Sequence, residues 1–188
     1  MAKKQIYTMP FRRKREGKTN YKKRLALLKS RKLRLVVRRS NKHIIAQLIK
    51  YSDEGDIILH TVHSKSLAKF GWEMNTGNIP SAYLVGLVLG KIAKGSEAIL
   101  DLGLQTPVPG SRLYAVSKGA IDGGLIVTYS EKSLPSKERI TGKHIADYAS
   151  KIKNEEKFQK IFSGYIKGKK EPEKFQEYFE KTKQKILS

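Results

Sequence analysis

The sequence predicts an α/β protein whose mixed sheet begins as an antiparallel meander of three strands and continues as helix, strand and helix. Three observations carry this prediction. Short runs of alternating apolar residues, separated by tight turns, follow residue 32; one apolar stretch around residue 85 has the length of a buried helix; and a second strand–helix pair follows it. A strongly basic N-terminal arm precedes this core, and a helical C-terminal tail follows it.

The meander covers residues 33–62. In its first strand, Leu33, Leu35 and Val37 alternate with residues of the opposite face, two of which are arginines. The turns that follow the first and second strands contain Ser, Asn, Asp and Gly, which favour tight connections. Each strand should therefore pair antiparallel with the next one.

The core then continues with a buried helix that begins near Asn78 and Pro80 and ends at Gly95. The next elements are a strand, a helix and a short strand, at 98–104, 111–121 and 125–128. Beyond residue 129, amphipathic segments predict further helices with aromatic faces.

The chain of 188 residues divides into three predicted parts: a basic arm at 1–32, an α/β core at 33–129 and a helical extension at 130–188. The sequence has no cysteine, so disulfides, Cys-based zinc sites and a thiol nucleophile are excluded. It shows no signal-peptide pattern and no apolar run long enough to cross a bilayer, which predicts a cytoplasmic protein without membrane contact.

The charge is concentrated at the N-terminus. Residues 1–43 hold seventeen Lys or Arg and one acid, Glu16, which accounts for +16 of the formal net charge of +22. Such a block repels itself and calls for a polyanion: nucleic acid, an anionic membrane or an acidic protein. The interleaved aromatic residues favour nucleic acid, because aromatic and arginine planes stack on bases while cations bind phosphates. The simpler interpretation is a solvated basic tail with no fixed partner.

The candidate RNA-binding residues are sixteen of the seventeen cations of this block, together with several of its aromatic, hydroxyl and amide side chains and the tip of the first hairpin. They are Lys3, Lys4, Tyr7, Phe11, Arg12, Arg13, Lys14, Arg15, Lys18, Thr19, Asn20, Tyr21, Lys22, Lys23, Arg24, Arg31, Lys32, Arg34, Arg38, Arg39, Ser40, Asn41, Lys42 and His43.

The sequence offers no candidate catalytic residue, metal site or cofactor motif. A three-strand meander followed by helix, strand and helix is a ribonuclease-H-like arrangement, so a metal-dependent nuclease is the enzyme to consider. Such chemistry needs clustered carboxylates, usually with one in the first strand. That strand carries arginines instead, and Asp101 is the only acid within a core strand. We therefore expect a binding protein and not an enzyme, with no small-molecule substrate.

Two segments resemble one known family. YKKRLALLKSRKLRLVVRRSNKHIIAQLI resembles the start of the large-ribosomal-subunit L-eighteen family, whose eukaryotic members are called L-five, and GSRLYAVSKGAIDGGL resembles its second helix. The resemblance covers most of residues 1–150, and the length of the tail is similar to that of archaeal members. It implies a ribosomal protein that binds 5S rRNA with its arm and first hairpin and also contacts 23S rRNA and neighbouring ribosomal proteins in the central protuberance. The alternative is a basic protein that coats nucleic acid without sequence preference.

Overall fold

The structure is a computed structural model that describes residues 8–153 and 156–188. Within them, the strands are β1 (Leu33–Arg39), β2 (Ile44–Lys50), β3 (Ile57–His63), β4 (Glu97–Asp101) and β5 (Ile126–Val127). They form one sheet in the order β3-β2-β1-β4-β5. The first three strands are antiparallel neighbours, whereas β4 runs parallel to β1 and β5 runs parallel to β4. The predicted fold class, an α/β protein with a mixed sheet and an antiparallel meander, is confirmed.

The helices of the described chain lie in the arm, between the strands and in the C-terminal tail. They are α1 (Arg12–Arg15), α2 (Tyr21–Leu28), α3 (Ile79–Ile92), α4 (Arg112–Asp122), α5 (Lys137–Thr141), α6 (Lys143–Ile152), α7 (Glu156–Ile161), α8 (Ser163–Lys167) and α9 (Phe175–Leu187), with 3-10 turns at Ser64–Phe70, Glu131–Ser133 and Pro172–Lys174. The sequence pattern does not predict the 3-10 helix after β3.

Strand β4 is shorter than predicted and ends at Asp101 instead of residue 104. The chain turns there because Gly103 adopts a left-handed conformation with φ of 61°. The carboxylate of Asp101 accepts a hydrogen bond from the backbone N–H of Gly103 at 2.8 Å, which fixes this turn.

The two faces of the sheet have different coverings. Leu35 and Val37 of β1 are fully buried in a core shared with α3 and α4. Arg34 and Arg38 project from the opposite face, over which α2 lies. The alternation of apolar and basic residues in β1 therefore gives the sheet one apolar face and one charged face.

Helices α3 and α4 run parallel at close range, and glycines make this approach possible. A Cβ atom added at Gly86 would lie 2.0 Å from the backbone oxygen of Val116, and one added at Gly119 would lie 2.0 Å from that of Tyr83. Backbone atoms cannot yield as a flexible side chain can, so the helix pair requires hydrogen at these positions.

The tail covers α3 and the 3-10 segment after β3. Phe175 and Phe179 of α9 are at most 1% exposed, and their rings pack on Trp72 and Tyr83 at centroid distances of 5.5 and 5.8 Å. Lys91 of α3 donates hydrogen bonds to the last carbonyl groups of α9, which suits the negative end of the helix dipole. The tail therefore shares its main hydrophobic cluster with the sheet, and the division into three parts stays a prediction.

Gly86→Ala tests the contact between α3 and α4. Because the new methyl group would collide with the backbone of Val116, we expect the free energy of unfolding to fall by about 3 kcal/mol. Urea denaturation followed by circular dichroism measures this change. Gly164→Ala is the matched control, since a Cβ there meets nothing within 4 Å; its stability should be unchanged or slightly raised. Equal stability of the two variants would contradict the close packing.

Candidate nucleic-acid interface

Two carboxylates on the charged face of the sheet bind three arginines. Arg34 of β1 is 3% exposed and lies between them: its Nη1 is 3.0 Å from Asp101 Oδ2, and its Nη2 is 2.6 Å from Asp56 Oδ2. Arg24 of α2 donates both its Nη1 and Nη2 hydrogens to Asp56, each at 2.9 Å. A buried arginine is tolerated only with such partners, so these pairs fix the position of β1 relative to β3, β4 and α2.

Arg38 joins the same network from the end of β1. It donates to the backbone oxygen of Asp101 at 2.8 Å and lies 3.3 Å from the Asp101 carboxylate. A Cβ added at Gly103 would lie 2.9 Å from the Arg38 guanidinium. The turn after β4 thus leaves space for an arginine that is still 42% exposed on its side chain.

The electrostatics of Asp56 follow from these contacts. Burial by itself would raise the pKa of Asp56, but hydrogen bonds from Arg24 and Arg34 outweigh it and hold the pKa below its ordinary value. The hydrogen bond to Asp56 correspondingly raises the pKa of Arg24. Helix α2, which has no buried residue of its own, is therefore attached to the sheet mainly by a charged pair.

The arm has local order as well. Asn20 caps α2, since its side-chain oxygen accepts a hydrogen bond from the backbone N–H of Lys23. The ring of Phe11 lies 5.1 Å from that of Tyr21. Glu16, the single acid of the arm, contacts both Arg12 and Lys18. The chain uses its few polar groups to fold the arm and leaves most of the cations in solvent.

The tip of the first hairpin is held by the body of the protein. Ser40 and His43 close the turn through hydrogen bonds of 2.8 to 3.1 Å. Thr76 donates to the backbone oxygen of Lys42 at 2.8 Å and lies 3.0 Å from Nδ1 of His43. A Cβ added at Gly77 would lie 3.1 Å from that same Lys42 oxygen, so the loop after the 3-10 helix packs directly on the hairpin.

The predicted site residues fall into four groups. Lys3, Lys4 and Tyr7 lie outside the described residues. Arg34 is buried, and Thr19, Tyr21, Arg24, Arg38 and His43 are half-buried. The remainder are exposed: Phe11, Arg12, Arg13, Lys14, Arg15, Lys18, Asn20, Lys22, Lys23, Arg31, Lys32, Arg39, Ser40, Asn41 and Lys42.

A groove of about 1080 Å³ separates α1 and α2 from the charged face of the sheet. Its rim carries arm cations such as Arg13, Lys18 and Lys23, and its floor is formed by the arginine–aspartate network and by apolar side chains such as Val36 and Leu100. The structure therefore brings the arm together with Arg34 and Arg38 of β1 on the charged face of the sheet, while the hairpin tip lies outside this groove.

Three residues of this surface escape the sequence reasoning. In the sequence, Asp56 resembles an ordinary turn residue and Asp101 an isolated acid. In the structure, the register aligns Asp101 with Val36, which lies between Arg34 and Arg38 on one face of β1. Arg112 at the start of α4 donates to the backbone oxygen of Gly77 at 2.6 Å. Burial and the nearby charge of Arg39 lower the pKa of Arg112. The alternation of side chains along β1 and β4 indicates the face on which Asp101 lies. No sequence pattern predicts the role of Arg112.

Asp56→Asn tests whether the network stabilises the fold. The change leaves Arg34 with one charged partner and releases Arg24, so we expect the free energy of unfolding at pH 7 to fall by roughly 1–3 kcal/mol. Because the folded-state pKa of Asp56 is lowered, the difference from the parent protein should be full above about pH 4 and vanish as the pH falls through that lowered pKa. Urea denaturation across this pH range measures it.

Asp53→Asn is the control, since Asp53 lies in the same turn and forms no ion pair among residues 8–153 and 156–188. If both variants lose the same stability, the network is not the cause.

Other kinds of site are not found in the described chain. No helix in that part is long and apolar enough to cross a membrane, and no group of three or more potential metal ligands comes together among its residues.

The arm, the meander and α3 coincide with a family match. Residues 5–94 match the model described as ribosomal large subunit proteins 60S L5 and 50S L18. This family is structural and non-enzymatic, works in the cytoplasmic ribosome, and has ribosomal RNA and other ribosomal proteins as partners. Residues 5–94, which include most of the basic arm, the whole meander and α3, are therefore similar to this family of large-subunit ribosomal proteins.

Proposed function

We propose that this protein binds 5S rRNA through its arm and first hairpin and helps to attach it to 23S rRNA in the central protuberance. One observation carries the proposal: residues 1–43 hold +16 of the net charge of +22, and cations of the arm line one groove together with Arg34 and Arg38 of β1. The family match supports ribosomal RNA as the polyanion.

The arm and the hairpin have different roles in this proposal. The arm cations, from Lys3 to Lys32, act through phosphates and set affinity. Those on α1 and α2 stand on short helices that have no buried residue, so a phosphate backbone can engage them in several arrangements. Any single one of these cations contributes little.

The hairpin residues Arg39, Asn41 and His43 distinguish one RNA shape from another. They stand on a turn that β1 and β2 hold from one side and that Thr76 and Gly77 hold from the other. Groups that are positioned before binding lose less entropy on docking, so they discriminate better than mobile ones. Arg34 and Arg38 pair with Asp101, and these ion pairs hold β1, the strand that leads into this turn.

The salt dependence of binding tests the role of the arm. If about eight phosphates are neutralised, the affinity of the whole protein for 5S rRNA should fall by roughly four decades between about 50 and 200 mM salt. Filter binding or fluorescence anisotropy measures this slope. Replacing Lys14 and Lys22 together by Ala should make the slope shallower by about two units. A slope that the double variant does not change would contradict phosphate contacts by these residues.

Asn41→Ala and Arg39→Ala test the role of the hairpin. We expect each to reduce the preference for 5S rRNA over an unrelated folded RNA of equal length, because each removes a pre-positioned contact. Lys14→Ala and Lys22→Ala, made as matched arm variants, should weaken both RNAs alike. All affinities are measured at one salt concentration. A parent protein without any preference would instead indicate an RNA-coating protein, and loss of preference only in the arm variants would reverse the assigned roles.

A further inference from the structure

The two edges of the sheet differ in how far they are protected against pairing with another strand; we call the edge at β3 the unguarded edge. At one edge β5 is only two residues long, which leaves little backbone for another chain to pair with. At the other edge β3 has seven residues, IILHTVH, with no lysine, arginine or proline. Proteins normally protect a long edge strand with one of these residues, since its free backbone groups attract other strands. Strand β3 has none of these residues, and its only protective feature of this kind in the described structure is an irregularity in its pairing with β2.

The first half of β3 also exposes a continuous apolar surface. Ile57, Ile58 and Leu59 are 50%, 54% and 42% exposed, and no other described part of the chain has three consecutive exposed large apolar residues. The pairing is irregular at this point: Leu48 pairs with His60 and Ile49 pairs with Ile58, so Leu59 has no partner in β2. A surface of this kind on a folded protein marks an interaction site.

Strand β3 and the turn before it carry acids and no cation of their own, and the nearest cation along the sheet is the exposed Lys50 of β2, which pairs with Ile57. Residues 51–64 contain no lysine or arginine. Asp53 and Glu54, in the turn before β3, are exposed and form no ion pair in the part of the chain that the structure describes. These two acids repel phosphates and attract a basic group.

We propose that β3 is the docking edge for an extended, basic segment of another large-subunit protein, which adds a sixth strand to the sheet. Backbone hydrogen bonds along β3 hold the segment, its apolar side chains cover Ile57, Ile58 and Leu59, and its lysines or arginines face Asp53 and Glu54. RNA does not fit this surface, because β3 and its preceding turn present acids and apolar groups in place of the lysines and arginines that bind phosphates. A second copy that paired through its own β3 does not fit it either, because that strand has no lysine or arginine to face Asp53 and Glu54.

The test uses the full-length protein carrying the photo-crosslinking residue benzoylphenylalanine at position 59, assembled in cells into large subunits that are then purified. Position 126 in β5, where Ile126 is 59% exposed, carries the same residue as a control. We expect position 59 to crosslink to a lysine- or arginine-rich segment of one ribosomal protein, and position 126 not to crosslink to that segment. Adding Asp53→Lys and Glu54→Lys should lower the yield at position 59 by about tenfold, a loss typical of central interface contacts.

Hydrogen exchange supplies a second readout on the unmodified protein. The amides of residues 57–63 should exchange at least about tenfold more slowly in the large subunit than in the free protein or in its complex with 5S rRNA alone, since strand pairing protects backbone amides. Crosslinks from position 59 to RNA, crosslinks to a second copy, a yield unaffected by the two lysine substitutions, or equal exchange in all three states would each overturn the proposal. Leu59→Asn should leave the affinity for 5S rRNA unchanged, so failure of the docking proposal is distinct from failure of the RNA proposal.

Discussion

Two buried or half-buried carboxylates determine how this basic protein is arranged. Asp56 and Asp101 come from different ends of the fold, one before β3 and the other at the end of β4, and both contact Arg34 in the central strand. Arg34 could not be buried without them. Through Arg24 and Arg38 the same carboxylates also position α2 and the end of β1. The network contains three arginines against two aspartates, so it retains a net positive charge beneath the arm.

The network explains how such an arm can lie against a folded domain at all. Helix α2 buries no residue completely, so hydrophobic packing holds it weakly. The bidentate pair between Arg24 and Asp56 supplies a specific contact that a purely basic surface could not offer. Phosphates compete for the same guanidinium, since carboxylate and phosphate accept the same fork of hydrogen-bond donors. A phosphate of an RNA bound to the arm can therefore take the place of the Asp56 carboxylate on Arg24, which is the contact that attaches α2 to the sheet.

The sequence was sufficient for most of the strands and core helices but not for the contacts between them. The alternation of Leu33, Leu35 and Val37 and the turn residues predicted the meander, because strand periodicity is a local property. The pairing of Arg34 with Asp101 joins residues 67 positions apart and depends on the register of β4, which no local pattern specifies. For the same reason, Phe175 and Phe179 indicated that the tail needed a surface, but not that Trp72 and Tyr83 provide it. Arg34 shows the limit for the site. The basic composition around it predicts contact with RNA, but the residue is only 3% exposed and its ion pairs stabilise the sheet.

The position of Asp56 connects the two surfaces that we propose. On one side it binds the arm through Arg24; on the other it directly precedes Ile57, the first apolar residue of the unguarded edge. The surface charge changes sign across this one turn, from the cations of α2 to the exposed Asp53 and Glu54. Because +16 of the net charge of +22 lies in residues 1–43, phosphates are attracted mainly to the arm and the first hairpin, and residues 51–64 add no lysine or arginine to that attraction. In our two proposals, RNA and a second protein therefore bind on different sides of this turn and do not compete.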